Sequence, residues 1–434
     1  MRVIELFKEI SKIPRCSGTH EPFINYLKEF SKQYNYHCQI DNANNILCYK
    51  KEQTPKICLQ SHYDMVCLVD GKLPIIIEEE GFLKAKDSTL GADNGMGCSY
   101  MLALMEENQN CEFLFTCDEE IGLIGANNIE FDLQSNYMLN LDSEAEGEIC
   151  IGCAGGVDIF ATTDKSEYIT NTENKILYEI TLDGLDGGHS GVDIDKNVPN
   201  ALKLIAKTIK ECDADLLDLN GGERINSIPK KAKAIIAVDA DKTPEKSHEK
   251  MSIVKVDAKT QHYKKLPQNI IDFLYTFANG IRGYDKDMGV VLTSINIAIV
   301  SNEPDQFKIS LSARSMDNAT LEVIKKETVR LLEIFYFTVT TDGKYPAWKP
   351  IDSAFTQNVL EIYKKTVQNA YLHAIHAGLE CAIFKERYPN MQICSIGPNI
   401  YFPHSNREKC EIQSAIKLYT ITKEIIKSIK DSNK

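Results

Sequence analysis

At 434 residues, with 43% hydrophobic and 26% charged side chains, the chain is too long for one ordinary core and too apolar for a disordered one, so two domains are expected. A net charge of -13, with the basic residues scattered among acids, lacks the clustered Lys and Arg that phosphate backbones require and argues against a nucleic-acid partner. No apolar run approaches the ~20 residues of a membrane span, and MRVIELFKEISKIPRCSG at the start reads as an amphipathic helix rather than a signal peptide, so no membrane association and a cytoplasmic location are expected.

In chain order, Ile4 to Ile13 and Pro22 to Gln33 read as helices. Asn45 to Tyr49, Lys56 to His62, Cys111 to Thr116 and Tyr137 to Leu141 read as strands, with a helix at Gly97 to Glu107 among them. This alternation predicts an α/β sheet. The polar tract Ala161 to Lys175 marks a boundary. Beyond it come strands at Ile176 to Leu182, Ala232 to Val238, Val290 to Val300, Phe307 to Ser312 and Thr338 to Thr341, with helices only at Ala201 to Cys212 and Leu321 to Phe335, a grouping that reads as α+β. After Pro346 to Pro350 the alternation resumes: helices near Phe355 to Tyr371 and Glu380 to Lys385, a strand at Met391 to Ile396 and a closing helix at Gln413 to Lys430. The expected organisation is an α/β domain, residues 1–174 and 351–434, interrupted by an α+β insertion, residues 175–350. No fixed-period repeat is present.

Of the 14 cysteines, Cys58, Cys117, Cys212 and Cys394 lie in apolar segments, where a free thiol behaves as a small hydrophobe. A disulfide framework is not expected in a large chain without an export signal. The single CxxC, Cys150 to Cys153, raises redox chemistry or half a zinc site, but no second CxxC accompanies it.

Residue types that bind metals recur at predicted strand ends. His62 and Asp64 are two apart and so share a strand face; Asp93 sits between glycines before a helix; FLFTCDEEIG ends a buried strand in three acids, Asp118, Glu119 and Glu120; Asp142 follows the strand Tyr137 to Leu141; His404 follows Gly397-Pro398. Each alone is adequately explained as a core histidine, a cap or a solvated turn. Together they fall where parallel α/β sheets bind ligands, and two imidazoles with several carboxylates suit two divalent ions, zinc first, with manganese and cobalt as alternatives.

Longer segments carry a resemblance. IPRCSG, HYDMV, TLGADNGMG, DEEIGLIGA, NLDSEAEGEICIGCAGG, DGGHSGVDI, GGERINSIP, TSIN, HAGLEC and SIGP followed by HS run nearly end to end, and with them the chain resembles the aminoacyl-histidine dipeptidases, or peptidase D, of the two-zinc exopeptidase and deacylase superfamily. The resemblance implies a zinc-exopeptidase-like catalytic domain with an inserted lid domain, and hydrolysis of Xaa-His and related dipeptides. It implies that His62 and Asp142 bind one metal, Glu120 and His404 the other, and that Asp93 bridges them. Glu119 matches the general base and Asp64 the carboxylate that supports His62, while Asp118 is left to local structure. In relatives the peptide after the bridging aspartate is cis, which here falls at Asp93-Asn94. His189 matches a lid histidine sent toward the substrate. Asn226, Asn296 and Arg314 match lid groups for the substrate's backbone or terminal carboxylate, and His376 and Glu380, expected in the resumed catalytic domain, join the substrate-binding set. A homodimer through the lid is expected by analogy with relatives.

Departures from the family pattern are Tyr63 in place of Leu, Ile121 of Thr, Ala382 of Gly and Asn406 of Pro, and a shortened segment, CLVDGKLP, after Val66. None removes an implied ligand. An aminotripeptidase or an N-acyl amino acid deacylase would use the same scaffold. A non-catalytic metal-dependent binding protein has no need of the Glu119–Glu120 pair, and a thiol redox protein built on Cys150 and Cys153 predicts activity that survives chelators.

Overall fold

The computed structural model describes residues 1–68, 72–164, 175–256 and 265–431. The chain forms two compact units: Met1–Cys153 with Trp348–Ala374 and Leu379–Lys434, and Ala154–Ala347 with Ile375–Gly378.

The first unit is built on an eight-stranded sheet in the order His37–Ile40, Ile46–Tyr49, Glu112–Thr116, Ile57–His62, Tyr137–Asn140, Gln392–Ser395, Glu148–Cys153 and Tyr371–Ile375. Its central strands, Glu112–Thr116, Ile57–His62, Tyr137–Asn140 and Gln392–Ser395, run parallel. The first two are buried at every position, as strands covered on both faces must be. Helix Arg2–Ile10 buries Val3, Ile4, Leu6, Phe7 and Ile10, and Glu21–Gln33 buries Phe23, Ile24, Leu27 and Phe30, each at helical spacing along one face. Helix Ala92–Glu106 is buried nearly all round. Its first turn departs from helical geometry at Asp93 and Asn94, and the Asp93-Asn94 peptide is cis.

The second unit is α+β. Its antiparallel sheet runs Met251–Val256, Lys175–Leu182, Ala232–Asp239, Asp215–Gly221, Val290–Asn302, Gln306–Ser315, Gly155–Asp164 and Thr338–Tyr345, with Gly280–Asp285 also pairing Val290–Asn302. Helices Ala201–Glu211, Gln268–Thr276 and Asn318–Ile334 contribute Ile205, Phe273 and Leu332 to its core. Asn200 caps the first by accepting the Leu202 and Lys203 N–H groups.

Three expectations change. Gly155–Asp164 pairs with Gln306–Ser315 and Thr338–Tyr345, so the second unit begins before residue 175; the polar stretch 165–174, where that boundary was expected, lies outside the described residues. The helix expected to reach Tyr371 stops at Lys364, because Tyr371–Ile375 forms a sheet strand, with the Tyr371 N–H donating to the Gly147 carbonyl at 2.9 Å. Cys16 and Cys67 form a disulfide, Cα–Cα 5.6 Å, although no disulfide framework was expected; residues 16 and 65 pair as an isolated parallel bridge, which brings the two cysteines side by side. Cys150 and Cys153 form no disulfide among the described residues and are buried in a strand. No helix among the described residues is long and apolar enough to cross a membrane.

Candidate active site

The parallel strands of the first unit end together, and their following loops converge. His62 closes its strand with its ring buried. Its Nδ1 lies 3.2 Å from the Asp64 carbonyl and 3.3 Å from Asp64 Oδ1, and its Nε2 lies 3.1 Å from Asp93 Oδ1 and 3.3 Å from Asp142 Oδ1. The other oxygen of Asp93 faces His404, 3.0 Å from its Nε2, and the same nitrogen lies 2.8 Å from Glu120 Oε2. Asp93 therefore stands between two imidazoles, with Asp142 on one side and Glu120 on the other. The five residues read from the sequence come together in that order.

The electrostatics of this cluster require positive charge. Burial opposes ionisation of Asp93, but hydrogen bonds from His404 and His62 hold its carboxyl far below the usual range. Burial also disfavours charge on His404, yet Asp93 and Glu120 push its pKa up to about 11. Burial, with Asp93 close by, raises both Glu120 and Asp142. Among the described residues, Glu120 Oε1 is buried with no hydrogen-bond partner. Imidazole nitrogens, carboxylate oxygens and an orphaned acceptor around one shared aspartate fit two divalent cations, whose charge would offset the gathered carboxylates.

Around this centre, Asp64 accepts the Glu119 N–H at 3.1 Å, the Glu120 N–H at 3.4 Å and the Ser17 hydroxyl at 2.8 Å. It thus fixes the acidic loop as well as facing His62. The Glu119 carboxyl is raised well above its ordinary value by burial and by Asp142, Glu120 and Glu380, with His62 opposing. Asp118 has φ 51° and accepts from the Gly18 N–H at 2.6 Å, with His20 Nε2 at 2.8 Å, which accounts for the third acid as a loop anchor. His20, Cys117 and Asp118 also lie close enough to hold an ion, but His20 Nδ1 meets Asn44 and the Cys117 thiol donates to the Ala43 carbonyl, so each already has a partner.

Glu380 is fully buried in the first unit, accepting from Gln60 Nε2 at 2.6 Å and Thr116 Oγ1 at 2.8 Å, and burial raises its pKa to about 8. His376, expected with it in the catalytic domain, falls in the second unit instead. They are four positions apart in sequence, but the chain changes unit at Leu379. His376 Nε2 lies 2.8 Å from Ser294 Oγ, and burial, with Arg314 and His189 adding to it, lowers its pKa to about 3. His189 Nδ1 accepts the Gly191 and Val192 N–H groups, and a Cβ on Gly191 would press on both His189 and the His376 carbonyl. The Asn226 carbonyl accepts from the Ser190 N–H, Asn296 Nδ2 donates to the Ser227 carbonyl, and Arg314 Nη1 donates to the Tyr345 hydroxyl at 2.6 Å. Strand pairing of Gly188–His189 with Ser227–Ile228 joins these neighbourhoods.

Tyr63 is accommodated: fully buried, it stacks on Phe23 at 4.7 Å between ring centroids and donates to the Asn44 carbonyl. The sequence reading missed Asn94, whose amide donates to Asp142 Oδ1, and Arg15 and Glu408, which contact the backbone around Asp93. Arg15 lies within IPRCSG, one of the segments that carry the resemblance, and Glu408 four residues after His404, but neither was singled out.

Residues 58–428 match Peptidase family M20/M25/M40. The chain belongs to this family. As a peptidase of that family it is a hydrolase of peptide bonds, and it is 32% identical over 475 aligned positions to the cytosol non-specific dipeptidase of Escherichia coli, covering 98% of this chain and 97% of that one. The crystal structure of an aminoacylhistidine dipeptidase from Vibrio alginolyticus superposes with a TM-score of 0.82 at 29% identity, over 98% of this chain and 96% of that one. A tripeptidase from Staphylococcus aureus shares the fold, with a TM-score of 0.60 at 17% identity over 99% and 98% of the two chains. The M20 fold thus comprises, in this chain, the parallel-stranded unit with its cluster of imidazoles and acids and the antiparallel α+β unit.

Proposed function

We propose that this M20 peptidase hydrolyses dipeptides, Xaa-His among them, at two divalent cations. The observation that carries the reading is Asp93 between His62 and His404, each with a further carboxylate alongside. His62 and Asp142 would hold one ion, Glu120 and His404 the other, and Asp93 both; zinc suits the nitrogen and oxygen donors best. When bound, such a pair lowers the pKa of water and polarises a carbonyl.

The chain's own groups do the rest. Glu119, whose N–H is held by Asp64, takes the proton of the attacking water and returns it to the departing amine. His189 donates to the carbonyl oxygen as negative charge develops there. Arg314, Asn226, Asn296 and His376 receive the substrate's carboxylate. We assign Glu380, fully buried against Gln60 and Thr116, to support of the strand ends. The E. coli relative's name supports a cytosolic location. Homodimerisation through the second unit is proposed on the exposed Ile281, Tyr284, Met288 and Leu292.

The test is a panel of dipeptides, a tripeptide and an N-acyl amino acid, assayed before and after chelation and zinc re-addition, with metal analysis. Two metals per chain and metal-dependent turnover of dipeptides are expected. Full dipeptide turnover by metal-free protein would overturn the reading, and preference for the tripeptide or acyl substrate would reassign the substrate class.

A further inference from the structure

Arg15 is a buried arginine whose hydrogen bonds among the described residues go to no acidic side chain. Its guanidinium instead meets backbone carbonyls: Nη1 donates to Tyr63 at 3.2 Å and Asp64 at 3.4 Å, and Nη2 donates to Gly91. Burial alone lowers the tendency of such a group to stay charged, and an apolar residue of similar size is often at least as stabilising. Room has been made for it all the same. A Cβ on either Gly91 or Gly95 would come within 2.5 Å of Nη2, and Gly91 takes the left-handed conformation, φ 69°, that glycine adopts without strain.

On the opposite side of the same stretch lies Glu408, also buried. Its carboxylate accepts four successive N–H groups: Leu90 at 2.9 Å, Gly91 at 3.0 Å, Ala92 at 2.8 Å and Asp93 at 3.4 Å. The segment that delivers Asp93 is therefore gripped on a carbonyl by the Arg15 guanidinium and on its amides by the Glu408 carboxyl group. The same guanidinium grips the two carbonyls that follow His62, and Glu408 belongs to the loop that carries His404.

We propose that Arg15 and Glu408 are positioning residues, a charged backbone clamp that sets the spacing of His62, Asp93 and His404. Resting on the two-cation reading above, this makes the clamp the element that holds both cation sites in register. Neither residue is among the proposed metal ligands, base or substrate-binding groups. Their effect passes through backbone atoms, so it should appear as altered metal geometry and affinity.

The experiment compares wild type with Arg15→Met, Arg15→Lys and Glu408→Gln, each stripped and titrated with cobalt(II) alone. Visible absorption reports the geometry and thermal unfolding the fold. Wild type should bind two cobalt ions. Each variant should unfold cooperatively, bind at least one cobalt ion about 10- to 100-fold more weakly, as is usual when a group supporting a ligand is lost, and show shifted absorption bands. Arg15→Lys, which keeps the charge but not the fork, should fail to rescue. Failure of wild type to bind two ions would refute the two-cation reading itself. Wild type with two ions and variants with wild-type affinity and bands would refute the clamp alone. Variants without a cooperative transition would also refute it, since those residues would then serve stability.

Discussion

Replacing Glu119 by Gln would separate the proton transfer proposed for it from every other task at the centre. The backbone N–H of Glu119 donates to Asp64 Oδ1 at 3.1 Å, and the substitution leaves that bond intact. Gln also keeps the side chain's length and one acceptor oxygen, but it cannot take a proton. A positioned base contributes about 10²- to 10⁴-fold, which at 1.36 kcal/mol per decade is roughly 2.7–5.4 kcal/mol of transition-state stabilisation. The loss should fall on kcat, with two metals per chain retained. Stability supplies a second, opposite readout. Burial and the neighbouring acids raise the Glu119 pKa in the folded, metal-free chain; below the unfolded value, near 4.3, both states are protonated and nothing is lost. As pH rises above it the unfolded chain releases a proton that the folded chain retains, so stability falls through the window up to the folded pKa. Metal-free Glu119→Gln escapes that loss, and its Tm should exceed wild type's at pH 7 while the two converge near pH 4. Stopped-time dipeptide assays, metal analysis and calorimetry at the two pH values make the comparison, with Glu120→Gln, which should lose metal, alongside. If Glu119→Gln kept wild-type kcat, or shed metal as Glu120→Gln does, the division of roles between the adjacent acids would be wrong.

Two further outcomes are expected. His189→Ala should lose about 2.7–4 kcal/mol of transition-state stabilisation, the scale of one oxyanion donor, in kcat and with both metals in place; wild-type rates would remove His189 from the mechanism. Closing a loop across 51 residues, the Cys16–Cys67 bond should contribute about 4 kcal/mol through the entropy of the unfolded chain, so Cys67→Ser should lower the Tm measured without reductant and a strong reductant should lower wild type's to match; identical melting of oxidised, reduced and Cys67→Ser protein would refute this.

The central architecture was legible where periodicity was strong. Ile57–His62 and Glu112–Thr116 are continuous apolar runs ending in polar residues, so both the strands and the donors at their ends could be read. The hairpin of Ile75–Glu79 and Phe82–Lys86 was not, because its first strand is mostly exposed and shows no clean alternation. Gly155–Asp164 was passed over because its buried half adjoins the polar tract that looked like a linker. The gathering of His62, Asp93, Glu120, Asp142 and His404 followed from motif resemblance and the strand-end rule together. Arg15 and Glu408 act on backbone atoms, and a residue that recognises peptide groups leaves no pattern in the sequence it recognises. The disulfide was hidden for a related reason: only the bridge between residues 16 and 65 brings Cys16 to Cys67.

The placement of His404 and Glu408 has a consequence for how the protein is born. They lie 311 and 315 residues beyond Asp93, which at ~5–20 residues per second is roughly 15–60 s of ribosome time. Throughout that interval the emerged strands carry their acids without the last imidazole, and the turn at Leu90–Asp93 has no carboxylate to receive its amides. A nascent chain released early, anywhere in that long interval, holds a donor set that cannot close. The order of synthesis thus puts the last imidazole of the proposed centre, and the side chain that receives the amides of its turn, after every other donor.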